Sequence, residues 1–471
     1  MNSAAIWILA PIFVGGILFF LQRFEKALVL AGAGLAVVLA LLAWYLPIGE
    51  ALPFLPSITI QDTMFVLGRQ FILDDADRPY LFLVYLMVAI WLGGSAAARS
   101  GKNLVPVGLI VSGLLTAALA VEPTLYAALL IEMAALVSIP VLAPPGKPAS
   151  RGVLRFITFQ TLGMPFILLS GWLLPGVVSD PPSQRVITAI VMLMLGFALL
   201  IAIFPFHSWL ISLAGEVNPY AAAFIFFCLL STVSKFGIDF MHHLEWLRDY
   251  APLYSILRLL GILMIFTGGL WAAFQRHLGR MLGYAMLVIV GSCLLASSLG
   301  APAAALGAAS STAASPATGL FFAFFLPNGL ALAAWALSLS IFKNQTENLT
   351  YRSVQGLAYT LPVASAGLLA AHFSLASLPL LAGFPLYSAM FSSLSHSAPS
   401  TVILAMLGVG GLLAGALRTL AVLITSPNAS PAWSMTETRL QVIFIVTAIF
   451  LLFVMGLFPQ LYIPLLSALI P

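Results

Sequence analysis

The sequence predicts an all-α polytopic membrane protein of about fourteen transmembrane helices. Three observations predict it. Apolar residues make up 62% of the 471 residues and charged residues only 7%, far too little charge to cover a soluble protein of this size. Apolar runs of about 18 to 24 residues recur from end to end, each long enough to cross a hydrocarbon core of roughly 30 Å. Lipid cannot satisfy backbone polar groups, and the two-residue alternation of barrel strands is absent, so the runs are helices.

The elements follow in order. The opening "MNSAAIWILAPIFVGGILFFLQRFEK" has no basic start and no small-residue cleavage site, so 4–21 reads as a retained first helix. A second run, 27–47, follows Arg23 and Lys26. The gap 48–78 carries Pro53, Pro56, Gly49, Gly68 and several acids near its end, and holds no soluble domain. Runs 79–98, 104–121, 123–143 and 152–175 come next, and 186–213 is too long for one plain helix. Runs 219–241, 251–274, 278–300 and 317–342 precede a second overlong run, 355–397, and 400–425 and 438–464 close the chain.

Charge balance supports this count. With the N-terminus outside, one side holds Arg23, Lys26, Arg99, Lys102, Lys147, Arg151, Arg155, Arg276, Arg280, Lys343, Arg352, Arg418 and Arg439. The other holds Arg69, Arg78, Arg185, Arg248 and Arg258. Thirteen against five satisfies the positive-inside rule with both termini outside a cytoplasmic membrane, bacterial or archaeal. The net charge of +4 is scattered over the loops with no basic patch, which excludes a nucleic-acid partner. Cys228 and Cys293 fall in apolar runs and read as packing residues, with no disulfide framework and no metal-ligand spacing.

Both overlong runs contain helix breakers. Pro205 interrupts "VITAIVMLMLGFALLIAIFPFHSWLISLAG", and Pro379, Gly383 and Pro385 should interrupt the run at 355–397. Freed backbone at membrane depth is tolerated where it lines a cavity or is buried in protein. Splitting the chain into 104–241 and 251–425 puts the broken run fourth of five in each half. Paired interruptions of this kind point to two inverted five-helix repeats, each with a broken helix and an ion path near the midplane. A three-helix segment (1–103) precedes them and one helix (438–464) follows.

At these residues the chain resembles the antiporter-like membrane subunits of respiratory complex I (subunits N and M of NADH:quinone oxidoreductase), of related hydrogenases and of Mrp-type antiporters. "FPFHSWL" (204–210) is similar to the family's "PFHxWLP", and "AAFQRHLGRMLGYAMLVIVG" (272–291) to "ALxQxDLKRLLAYSSIxxxG". "LASLPLLAGF" (375–384) resembles "LAGLPPLAGF", and "LLIEMAALVSIPVLA" (129–143) puts Glu132 at the fifth-helix glutamate. "LRFITFQTLGMPFILLSG" (154–171) and "DADRPYLFLVYLM" (75–87) match two further family stretches. The length suits the shorter family members. The resemblance implies proton movement through buried lysines, a glutamate and histidines, driven by electron transfer in partner subunits, with no cofactor in this chain.

Little of that chain of residues is kept. The seventh-helix lysine position is Leu200, the eighth-helix position is Thr232, and the twelfth-helix position is Tyr387. Of five lysines, four lie in polar gaps and only Lys235 lies inside an apolar run, one turn past Thr232. Ionisable groups inside a membrane are functional candidates by default. For Lys235 two readings stand: a displaced proton carrier, or an ion pair with Asp239 at i+4. Glu132 reads as a proton-loading carboxylate or a remnant. His207 reads as a relay or as a helix-positioning group, and His372 as a second-half path residue or a packed side chain. No catalytic residue and no metal site is expected. Three functions remain open: a translocating membrane-arm subunit with a reduced or rerouted proton path, contacting other arm subunits, lipid and protons; a non-pumping spacer in the same arm; and an Mrp-type sodium/proton antiporter subunit.

Overall fold

The structure is a computed structural model that describes all residues except 1, 53–54, 67, 144–145, 147, 174–183, 244–246, 248–249, 301–315, 396–397, 427–432 and 469–471. Lys147 and Arg248 of the charge balance lie outside the described residues. Among the described residues ten helices are long and apolar enough to cross a membrane, and a further span is bent by 115° between Tyr351–Tyr359 and Pro362–Leu375. Three shorter apolar helices, Ala5–Phe20, Leu104–Ala120 and Gln184–Leu200, complete the set, and every predicted run is occupied by helix.

The chain divides into two compact units. The first comprises Met1–Gly93, Gly101–Trp209 and Ile225–Phe240. Its helices are α1 (Ala10–Phe20), α2 (Glu25–Tyr45), α3 (Arg78–Ala98), α4 (Leu104–Ala120), α5 (Ala127–Val137), the short α6 (Ile139–Leu142), α7 (Arg151–Leu173) and α8 (Gln184–Leu200). Next come α9 (Ser208–Glu216) and α10 (Pro219–His243); like α3, each contributes part of its length to both units. Helix α4 is the axis of the first unit: nearly all its side chains are buried, and α1, α2 and α5 pack on it.

The gap 48–78 departs from a plain linker. It folds as a small β layer: β1 (Ala51–Leu52) pairs β2 (Leu55–Thr59), and β3 (Thr63–Val66) pairs β4 (Arg69–Ile72) antiparallel. The β3–β4 turn uses Gly68 at φ +75°, a left-handed value that glycine tolerates without a Cβ clash. Strand β4 also pairs β5 (Val121–Glu122), the residues that leave α4. This layer delivers Asp74–Arg78 to the start of α3 in a fixed pose. Asp74 and Asp77 form a reciprocal capping box, and Arg78 pairs with Asp75 at 2.9 Å. Arg78 also donates to the Ala43 and Trp44 carbonyls at 3.0 and 2.7 Å, capping the open C-terminal end of α2. A cation at a helix C-terminus stabilises it by about 0.3–1 kcal/mol.

The second unit comprises Gly94–Ser100, Leu210–Phe224 and Met241–Pro471. It holds α11 (Ala251–Phe274), α12 (Leu278–Ser297), α13 (Pro316–Gln345), α14 (Tyr351–Val354), α15 (Pro362–Leu375), α16 (Gly383–Ser395), α17 (Pro399–Ile424), α18 (Arg439–Leu457) and α19 (Pro459–Ala468). The apolar window of α13 is 94% buried, and α12, α15, α16 and α18 surround it. Helices α11 and α17 cross on glycine: a Cβ on Gly269 would overlap the Gly408 carbonyl, and one on Gly411 would meet the Gly269 carbonyl. Lipid tails supply no hydrophobic drive between helices, so close backbone approach of this kind supplies the packing.

Both broken runs end their first half in the same way. After α8 stops at Leu200, Ala202 takes φ +58° and the Ile203 N–H reaches back to the Ala198 carbonyl at 2.9 Å. After α15 stops at Leu375, Ser377 takes φ +56° and the Leu378 N–H reaches back to the Phe373 carbonyl at 3.0 Å. Each is the back-bonded left-handed helix end usually made with glycine. The second half-helix begins six residues after the left-handed residue in both, at Ser208 and at Gly383. Pro205 and Pro379 lie inside the gaps, while Gly383 and Pro385 open the following half-helix, where a proline costs no intrahelical bond.

Candidate functional site

The lone lysine of the apolar runs sits in the first unit on α10. Its ammonium is 2.5 Å from Asp239 Oδ2, one turn further along the same helix, and 3.9 Å from Asp77 Oδ1 at the start of α3. Its Nζ lies 5.9 Å from the centre of the Tyr80 ring, so the aromatic face covers the cation from a third side. Side-chain exposure is 14% for Lys235 and about twice that for the carboxylates, at 30% and 32%, so the ammonium is the inner member of the cluster. One cation against two carboxylates leaves a net negative charge that a second proton or a movement of one carboxylate would balance. The capping box with Asp74 holds Asp77 in this position.

Below the ammonium the chemistry changes from charge to hydroxyl. Tyr80 OH and Thr232 Oγ1 share a hydrogen bond at 3.2 Å, both buried. Thr232 stands where the sequence resemblance places a family lysine. Tyr387, another such position, also makes a buried hydroxyl pair, with Ser292 at 2.7 Å in the second unit. The third position is filled differently. Leu200 packs on Gly163, and its carbonyl, freed by the helix end, accepts from Gln160 Nε2 at 3.0 Å. Gln160 is buried and its Oε1 has no partner among the described residues. Replacing Gln160 with leucine is expected to cost about 1–3 kcal/mol by leaving the Leu200 carbonyl unpaired in an apolar site. Thermal unfolding of the purified protein in detergent measures this.

The remaining predicted residues are not brought into this cluster. Glu132 lies half-buried on α5 beside the exposed side chains of Leu129, Met133 and Leu136, and makes no ion pair or hydrogen bond among the described residues. His207 lies in the gap between α8 and α9, stacked on Phe204 at 5.4 Å and 16°, with its buried Nδ1 unpaired among the described residues. His372, in the second unit, is fully buried one turn before its helix ends. Its ring packs on Trp335 at 4.1 Å, and the Leu412 carbonyl faces it short of ordinary hydrogen-bond geometry. Glu132 and His207 thus contribute no partner to Lys235.

Asp77 and Tyr80 complete the cluster, and the sequence alone does not mark them as site residues. Their signal is the "DADRPY" start of α3, an acid one turn before an aromatic, which reads as helix capping until the fold brings α10 alongside. Among the described residues no group of three or more His, Cys, Asp and Glu is arranged to hold a metal ion.

The chain is similar to known membrane subunits. A family profile described as "NADH:quinone oxidoreductase/Mrp antiporter, TM" matches residues 177–414. NADH-quinone oxidoreductase subunit N 2 of Solidesulfovibrio magneticus is 26% identical over 364 residues, covering 71% of this chain and 73% of that protein. Subunit N 2 of Acidobacterium capsulatum is 25% identical over 475 residues, covering 93% and 90%. Among solved structures, a chain of respiratory complex I from Thermus thermophilus with bound NADH superposes with a TM-score of 0.76 at 21% identity, over 99% of both chains. A chain of the Mrp complex from Dietzia sp. DQ12-45-1b gives 0.78 at 15% identity, over 99% of this chain and 96% of that one.

Proposed function

The chain belongs to the NADH:quinone oxidoreductase/Mrp antiporter family of membrane subunits, and from that premise we propose that it works in the membrane arm of a complex I-like assembly, passing protons through its first unit along a path rebuilt around Lys235. The observation that carries this reading is the ammonium held between Asp77 and Asp239, one turn from the position where Thr232 replaces a family lysine. A desolvated lysine keeps its proton while a carboxylate is close and yields it when that carboxylate is protonated or withdraws. Asp77 reaches the lysine from the start of α3 rather than from the lysine's own helix, and its 3.9 Å contact is the longer of the two. Electron transfer takes place in partner subunits, and the driving conformational change reaches this chain through the membrane arm. Both termini lie outside the cytoplasmic membrane, as the thirteen-to-five charge asymmetry favours.

A spacer role in the same arm is the second reading. It is favoured by Leu200 packed on Gly163 and by His372 enclosed against Trp335, which leave those positions without a proton store. Affinity purification of the tagged chain from its own membranes, with mass spectrometry of what accompanies it, tests the assembly. Quinone-reductase or hydrogenase-type hydrophilic subunits are expected. Recovery with Mrp subunits alone, together with sodium-dependent pH change in vesicles, would replace this proposal with the antiporter reading.

A further inference from the structure

The turn between α11 and α12, in the second unit, carries a histidine in an unusual place. His277 is the N-cap of α12, and its Nδ1 accepts the Arg280 N–H at 3.3 Å. N-caps are ordinarily Ser, Thr, Asp or Asn, whose side-chain oxygen accepts at any pH near neutrality. The family stretch similar to residues 272–291 has an aspartate here. An imidazole fills the role in one form only. Its Nδ1 accepts while the ring is neutral with the proton on Nε2; once both nitrogens carry protons, both donate and neither accepts. A charged ring would also set a cation at a helix N-terminus, against the helix dipole.

This cap holds a junction. On one side the turn is fixed by residues 349–351: the Leu278 N–H donates to the Leu349 carbonyl at 2.8 Å, and the Tyr351 N–H to the Arg276 carbonyl at 2.9 Å. On the other side lies the last turn of α9. A Cβ on Gly279 would meet the Ala214 carbonyl oxygen at 2.7 Å and the His277 ring at 3.1 Å, so the ring, the α12 backbone and α9 converge at one point. The stem of Arg280 packs on Gly215, and Lys343 of α13 donates to the Val217 carbonyl at 2.9 Å just past the end of α9. The amide that His277 caps therefore belongs to the residue whose side chain lies on α9.

The charged groups of the elements packed here are Arg276 and Arg280 beside the ring, Glu216 of α9 and Lys343 of α13. The others near the turn are Glu347, Tyr351 and Arg352 of the bridging segment, and Arg418 of α17 over the Tyr351 ring. Arg280 and Lys343 bear on the imidazole, and both are positive. Burial first, then these two cations, hold its pKa below the ordinary 6.5. The capped state thus resists a proton that the uncapped state accepts, so the cap is complete above pH 6.5 and weakens as pH falls below it. Arg276, Arg280 and Lys343 all belong to the richer side of the charge balance, which is the cytoplasmic one.

We infer that His277 is an acid-released clasp that reads cytoplasmic pH: on taking up a proton it lets go of the Arg280 amide, and the junction of α12 with the end of α9 loosens. The clasp does not depend on the reading of Lys235.

The test is amide hydrogen exchange, followed by mass spectrometry on the full chain in its purified assembly and corrected for the intrinsic effect of pH. Between about pH 7.5 and about pH 5.5 the peptide spanning the start of α12 is expected to exchange about fivefold faster, the effect of losing one helix cap. His277→Asn and His277→Asp keep an acceptor at both pH values and should stay slow throughout. His277→Ala has no acceptor and should exchange fast at both. A rise with acid that His277→Asn shares would place the titration on another group and overturn the inference. So would native exchange that stays flat over this range, or a His277→Ala chain as slow as the native one at about pH 7.5.

Discussion

Lys235→Arg is expected to abolish proton passage through this chain while leaving the folded complex intact, and Lys235→Met is expected to abolish it and to destabilise the first unit as well. The contrast follows from the two carboxylates. Arginine keeps a cation between Asp77 and Asp239 but does not release its proton at any working pH. Methionine leaves two carboxylates facing an apolar site with no cation. Breaking a buried pair by deleting one partner typically costs about 3–5 kcal/mol. Exposure of roughly a third at each carboxylate lowers that, because water and proton uptake relieve part of the strain. Proton movement in vesicles and thermal stability in detergent, measured on both variants, separate the two effects. Native proton movement in the arginine variant would show that Lys235 only holds the helices together.

Gly408→Val is expected to be the most damaging single change outside the site. A Cβ at Gly408 would meet the Ile265 carbonyl oxygen and carbon and the Phe266 Cα, all backbone atoms that cannot swing aside. Overpacking a well-packed site costs about 1–3 kcal/mol where side chains can yield, and more where only backbone can move. Gly410 is the control: nothing lies within 4 Å of its Cβ position, so Gly410→Val should be close to neutral, apart from a small helix-propensity difference. Protein recovered from membranes and its unfolding temperature in detergent give the comparison. Equal yield and stability for the two variants would contradict the glycine crossing of α11 and α17.

Much of the fold is legible in the sequence because lipid imposes one rule. Each crossing must be an apolar helix long enough to span, and prolines within an overlong run mark where that helix stops. Which helix becomes the axis of its unit is not legible, since α13 and the peripheral α18 are both apolar while 94% and 28% of their windows are buried. Inside and outside look alike to a sequence whose solvent is hydrocarbon. The turn residues are hidden for another reason. Ala202 and Ser377 hold left-handed backbone without being glycine, and the helix ends that demand it are set by the tertiary fold.

The site is half legible. Lys235 and Asp239 declare themselves by charge inside an apolar run at helical spacing. Asp77 and Tyr80 do not, because 158 positions separate Asp77 from Lys235 and only the β layer and the α3 cap bring them together. Glu132 illustrates the opposite case, a conspicuous carboxylate that makes no ion pair among the described residues.

In the proposed function a single displaced lysine does the work of several that are gone. The most direct measurement is the number of protons moved per electron transferred by the purified complex in sealed vesicles, native against Lys235→Arg. The account predicts a lower ratio in the variant, by this chain's own share, with electron transfer still running. An unchanged ratio would contradict it and leave this chain as a spacer in the arm.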